Sequence, residues 1–269
     1  MATESTSAFA RLSETQQKWL IRVVMFVFVL AVWEVLGRIL GNLFLAPFSD
    51  VAREYVKLAL DGPMFSALLV VIREMLFGYA IAVVIGVPVG LLMGRNEIVE
   101  DSLGPWVSAL FVTATASMLP LFVILFGVDF AFRLAVIVVS CVWFILLNTY
   151  HGAKGVDRNY VDVGVAFDAS STKRFKDIVL PATLPYIFAG LRIGLIQALR
   201  GTILAETFIR FAYGGLITSY AQQTADTAPI LAFIVTIVVF GYALRIVLQA
   251  IQVYLFPWAD ESGGASVGH

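Results

Sequence analysis

The chain has 269 residues, of which 60% are hydrophobic and only 14% charged. Soluble domains average about 25% charged residues, so a soluble globule of this composition could not cover its own surface. The net charge of -1 gives no case for nucleic-acid binding, and one cysteine, Cys141, makes no intrachain disulfide. What remains is an all-α, polytopic membrane protein.

Residues 1–18 are polar, rich in Ser and Thr, and lack the charged start and short apolar core of a signal peptide. They are predicted to form an N-terminal tail. Six stretches then reach the roughly 20 apolar residues that a membrane helix needs: residues 20–40, 68–94, 103–126, 134–150, 186–205 and 230–256. The runs are continuous rather than alternating, which argues against a β-barrel. A membrane domain is predicted over residues 19–258, with a Gly- and Ser-rich C-terminal tail over 259–269.

Within the first span, Arg22, Glu34 and Arg38 lie toward the ends, where they can snorkel. Residues 49–60 follow as a short amphipathic helix. Val51, Tyr55, Leu58 and Ala59 share one face, Arg53, Glu54 and Lys57 another, and Ser49 is placed to cap the first turn after Pro47. Such a helix lies in the outer interface or covers the bundle. Arg73 and Glu74, early in the second span, are predicted to reach the outer interface. Further along, Gly78, Ala82, Gly86, Gly90 and Gly94 recur every four residues. They form a ridge without side chains on which another backbone can pack closely, within the subunit or across a dimer. Pro88 is expected to bend this helix.

The longest polar stretch is 152–177. Residues 160–167 are predicted as a short helix and 168–171 as a turn with an N-cap. Residues 172–179 form a second helix stopped by Pro181. Val163, Val165, Phe167, Phe175 and Ile178 make this hairpin too apolar for a free linker. It needs a surface to bury against, and Phe167, just before the turn, is the candidate anchor. In the fifth span Arg200 and Glu206 are six residues apart, so a straight helix puts them on different faces. Arg200 is placed either to attract an anionic solute or to pair with a carboxylate elsewhere, such as Glu74; an intramembrane charge is a candidate for function.

Basic residues set the orientation. With the N-terminus inside, one side carries Arg11, Lys18, Arg22, Arg95, Lys154, Arg158, Lys173, Arg174 and Lys176; the other carries Arg38, Arg53, Lys57, Arg73, Arg133 and Arg210. Both termini are therefore expected in the cytoplasm, with Trp19, Trp106 and Trp258 at the inner interface.

At the hairpin the chain resembles a family. Ile178-Val179-Leu180-Pro181 matches the end of the cytoplasmic loop signature of bacterial ABC importer permeases: Glu-Ala-Ala, three residues, Gly, nine residues, Ile-x-Leu-Pro. Counting back puts Asp168 at the glycine and Asp162-Val163-Gly164 at Glu-Ala-Ala. Asp tolerates a left-handed turn better than most residues. Other segments are similar to the nitrate/sulfonate/taurine branch of the binding-protein-dependent transport inner-membrane components. These are residues 44–51 (FLAPFSDV), 86–94 (GVPVGLLMG), 119–122 (LPLF), 144–149 (FILLNT) and 184–192 (LPYIFAGLR).

The resemblance implies the six-helix fold of a type I importer permease in the inner membrane, pairing as a homodimer around one path. It implies a cytoplasmic ABC ATPase subunit docked on the loop over residues 155–180, and a periplasmic or lipid-anchored solute-binding protein. The docking residues implied are Asp162, Gly164, Phe167, Asp168, Ala169, Ser170, Lys173, Arg174, Leu180 and Pro181. Arg200 and Glu206 are candidates for the translocation path, although Glu206 also matches a Glu common in the family. The solute implied is a small anion of the sulfonate, taurine or nitrate class; a thiamine precursor or an aromatic solute is the alternative.

The chain carries no Gly-x-x-x-x-Gly-Lys-Ser/Thr loop, no His-Glu-x-x-His and no Gly-x-Ser-x-Gly. His151 and His269 are isolated, and Cys141 lies in an apolar span as an inert hydrophobe. No metal or cofactor is expected in this chain, ATP and Mg2+ falling to the partner ATPase, and no catalytic activity. The competing class is an ion-coupled secondary transporter, which would show inverted repeats; the sequence has no internal repeat.

Overall fold

The computed structural model describes residues 14–60, 62–224 and 226–255. Most of the predicted N-terminal tail, the C-terminal tail, Arg11, Trp258 and His269 lie outside these residues. The described residues are helical with no strands. Five helices are long and apolar enough to cross a membrane, or six if one sharply bent pair counts as a single span. The chain divides into two compact units, residues 1–63 with 219–235, and residues 64–218 with 236–269.

In the first unit, α1 (Glu14–Leu40) begins inside the stretch expected as a tail, and α2 (Phe48–Leu60) is the predicted amphipathic helix. Val51 and Leu58 are buried, while Arg53 and Lys57 are exposed. Ser49 does not cap α2. The backbone carbonyl of Pro47 opens the helix, and Ser49 donates both its N–H and its hydroxyl, each at 3.0 Å, to the Glu34 carboxylate. Glu34 therefore satisfies a free first-turn amide from outside the helix, with a negative charge at the favourable end of the dipole. Arg38 holds Glu34 in place at 2.7 Å. The 41–47 loop is pinned by Thr227, whose N–H and hydroxyl both donate to the Asn42 carbonyl while its hydroxyl accepts from Ala46 N–H.

The second unit is built on α6 (Phe130–Lys154), packed between α3 (Met64–Arg95) and α9 (Leu180–Ile209). The glycine ridge of α3 is what lets α6 approach. A Cβ on Gly90 would stand 2.6 Å from the Leu146 carbonyl oxygen and 2.8 Å from Thr149 Cβ. On Gly94 it would stand 2.6 Å from Ala153 Cβ, and on Gly86 3.1 Å from Ile145. Gly78 meets Ile137 in the same row. The ridge is thus used within the subunit. α3 also runs unbroken through Pro88.

Three differences from the predicted elements have local causes. The third span is not one helix. α4 (Glu97–Val112) and α5 (Thr115–Phe126) meet at 103°, because Thr113 and Ala114 are extended and Thr113 turns both its N–H and its hydroxyl onto the Ala109 carbonyl. Pro181 does not stop the hairpin's second helix: Ser171–Ile209 is continuous over 39 residues. A π-helical turn, Phe175–Val179, precedes the proline, and this wider turn gives the ring the room that a regular α-turn denies it. A further helix, α10 (Ala212–Gln223), lies in a segment with no predicted element, ahead of α11 (Ala228–Leu255).

Candidate functional site: hairpin, buried charges and intramembrane cavity

The hairpin consists of α7 (Arg158–Ala166) and α8 (Ser171–Arg174). Asp157 caps α7 by accepting from Asn159 N–H at 2.9 Å. Its far end closes in a Schellman turn: Ala169 N–H reaches the Gly164 carbonyl and Asp168 N–H the Val165 carbonyl, both at 2.9 Å. Asp168 takes the left-handed conformation that this turn requires, with φ at 53°. Ser170 then caps α8 by accepting from Lys173 N–H at 3.4 Å. Gly164 is the contact between the two arms; a Cβ there would sit 2.9 Å from Ile178 Cδ1. Phe167 does not fold back onto the spans. It is 82% exposed, and Tyr160, Val163 and Val165 beside it are exposed as well. Ala169 is half-buried, Lys173 and Leu180 belong to the continuous helix, and Asp162 lines a cavity of about 590 Å3 with Glu97, Glu100, Asp101 and Lys154.

At the other end of α6 lies a buried ionic cluster. Glu74 does not reach an interface: it is fully buried, and both its oxygens accept from Arg133 Nε, at 2.9 and 2.8 Å. The Arg133 guanidinium stacks on the Phe211 ring, 4.0 Å from its centroid. Arg133, which the sequence counts only among the basic residues of one side, pairs with Glu74, so Glu74 is not the partner of Arg200. Glu206, also fully buried, accepts from Gly214 N–H at 3.0 Å through Oε2, so it caps the start of α10. Gly214 is needed there, since a Cβ would lie 2.7 Å from the Glu206 carbonyl carbon. Oε1 of Glu206 has no hydrogen-bond partner among the described residues.

Arg200 stands apart from this cluster. Its Nη1 donates to Gln197 Oε1 at 3.0 Å, and it lines a cavity of about 380 Å3 at the α4–α5 bend with Phe111, Ser140, Trp143 and Phe144. Glu206 is not in that lining. No group of three or more metal-ligating side chains occurs among the described residues.

The described residues form a series of apolar helices long enough to cross a membrane, with the α7–α8 hairpin between two of them, as in a multi-pass membrane protein. The chain belongs to the family of binding-protein-dependent transport system inner membrane components, whose model matches residues 86–260. It is an ABC transporter permease. A probable ABC transporter permease protein of Brucella abortus is 28% identical, over 79% of this chain and 85% of that one. The putative aliphatic sulfonates transport permease protein SsuC of Bacillus subtilis is 24% identical, over 91% and 90%. The bicarbonate transport system permease protein CmpB of Synechococcus elongatus is 30% identical, over 81% and 75%. These relatives are named as transport subunits rather than enzymes.

Proposed function

We propose that the chain is the permease of an ATP-driven importer for a small anion, moved by a separate ATPase subunit that grips the α7–α8 hairpin. The observation that carries this reading is Phe167: a large aromatic, 82% exposed, held at the tip of a hairpin whose turn is fixed by two backbone hydrogen bonds. An exposed aromatic on an ordered support is what an interface anchor needs. Lys173 and Arg174 on α8 and Asp162 on α7 put charge on the same hairpin. The anion class is supported by the sulfonate and bicarbonate relatives. In this reading the hairpin end is cytoplasmic, a solute-binding protein delivers the anion to the opposite face, two permease copies frame the path, and ATP and Mg2+ are held by the ATPase.

The test is recovery of the ATPase with the affinity-tagged permease, normalised to folded permease. Phe167→Ala removes a hot-spot aromatic worth about 2 kcal/mol, roughly a thirtyfold loss of affinity. Undiminished recovery would remove the hairpin from the coupling role.

A further inference from the structure

The bend between α4 and α5 faces the middle of α6 and the C-terminal half of α9, and its chemistry is that of an anion site. Thr113 and Ala114 interrupt the helix. Ala114, at the N-cap of α5, offers no side-chain acceptor, so the first-turn amides of α5 keep their positive end uncapped. Arg200 lines the same cavity. Its recorded partner is the neutral Gln197, and no carboxylate lies within ion-pair distance among the described residues. Glu74 is committed to Arg133, and Glu206 to α10. Arg200 is exposed, so its guanidinium is open to a ligand entering the cavity, and a cation on a membrane-spanning helix is a candidate for function. Trp143, also in the lining, has a buried Nε1 with no acceptor among the described residues. The walls are aromatic, with Phe111 and Phe144 edge to face at 5.4 Å. The volume of about 380 Å3 falls within the range of roughly 300–1,000 Å3 for small-molecule sites.

We propose that this cavity is a binding site for a small organic oxyanion within the permease itself. The oxyanion lies on the Arg200 guanidinium, whose planar donors match two oxygens of a sulfonate or carboxylate. The apolar body packs on Phe111 and Phe144. The proposal deepens the importer reading and rests on it for the delivery of the solute, but the site is tested without transport.

Thr113→Cys places a thiol in the lining of the full-length chain, purified in detergent; Cys141, fully buried, supplies the blank. The labelling rates of two thiol reagents are compared, 2-sulfonatoethyl methanethiosulfonate, itself a small sulfonate, and its trimethylammonium counterpart. Arg200→Gln is expected to lower the anionic-to-cationic rate ratio by about tenfold. Ethanesulfonate is expected to slow labelling by the anionic reagent, more than nitrate does, and to lose that effect in Arg200→Gln. A ratio indifferent to Arg200→Gln, a thiol that does not label, or protection no better with ethanesulfonate than with nitrate overturns the proposal. ATPase recovery from the same preparation tests the importer reading separately; its failure leaves the labelling result to stand by itself.

Discussion

Removing Glu74 is expected to damage the protein more than removing Glu74 and Arg133 together. The two side chains are 0% and 10% exposed, and they meet at 2.8 Å. Breaking such a pair from one side typically costs about 3–5 kcal/mol, because the surviving charge is left buried and unpaired. Glu74→Gln keeps the shape but strands the Arg133 guanidinium, whose remaining recorded contacts are the rings of Phe211 and Phe130. Those cation–π contacts are already made with Glu74 in place, so they offset none of the loss. The expected loss stays at about 3–5 kcal/mol, on the order of ten degrees in the melting midpoint of a chain this size. Arg133→Met strands Glu74 instead, close to the carboxylate of Glu206, and is expected to cost at least as much. The double variant Glu74→Met/Arg133→Met leaves no unpaired charge at the pair, and hydrophobic replacement of a buried ion pair is often neutral. The assay is thermal unfolding of the detergent-solubilised protein, followed by the loss of the monodisperse chromatographic peak. The double variant should melt well above either single variant. Additive losses in the double variant would refute the idea that these groups act as a pair.

Gly90→Leu should abolish recovery of folded protein, because the Cβ alone would lie 2.6 Å from the Leu146 carbonyl; Leu69→Ala, at a 66% exposed position, is the control and should leave yield unchanged. Asp168→Gly should stabilise the hairpin by up to about 1 kcal/mol by relieving the left-handed backbone, read as slower exchange of the Ala169 amide, which bonds the Gly164 carbonyl. Asp157→Cys, on the loop before α7, should label with an impermeant reagent only after the membrane is opened; labelling of intact cells would reverse the orientation.

The sequence exposed what depends on local composition. Apolar runs marked the long helices, and four-residue spacing marked the α3 ridge. A short stretch with both helical pattern and uncovered apolar residues marked the hairpin, down to a turn at Asp168. What stayed hidden depends on distant partners or on backbone choices that residue type does not dictate. Glu74 and Arg133 are 59 residues apart, and each looked like a charge near a span end. Thr113 and Ala114 are compatible with helix, and apolar residues continue on both sides, so nothing local announces a 103° bend. Ser49 looked like a cap because its competitor for the role, Glu34, comes from another helix. Pro181 looked like a stop because a π-turn cannot be read from the residues before it.

Because α8, the π-turn and α9 form one continuous helix, the α7–α8 hairpin and the membrane-spanning residues of α9 share a single mechanical member. Ser171–Ile209 is 39 residues long, roughly 58 Å at 1.5 Å per residue. Arg200 and Glu206 ride on its far part, about 44 and 53 Å along the axis from Ser171. A tilt of only a few degrees at the hairpin end therefore becomes a displacement of several ångströms at Arg200, with no loop in between to absorb it. Bending along this lever is expected at the π-turn, Phe175–Val179, and at Pro185, the proline inside α9. Stiffness there sets how much of each push at the hairpin reaches the bend between α4 and α5.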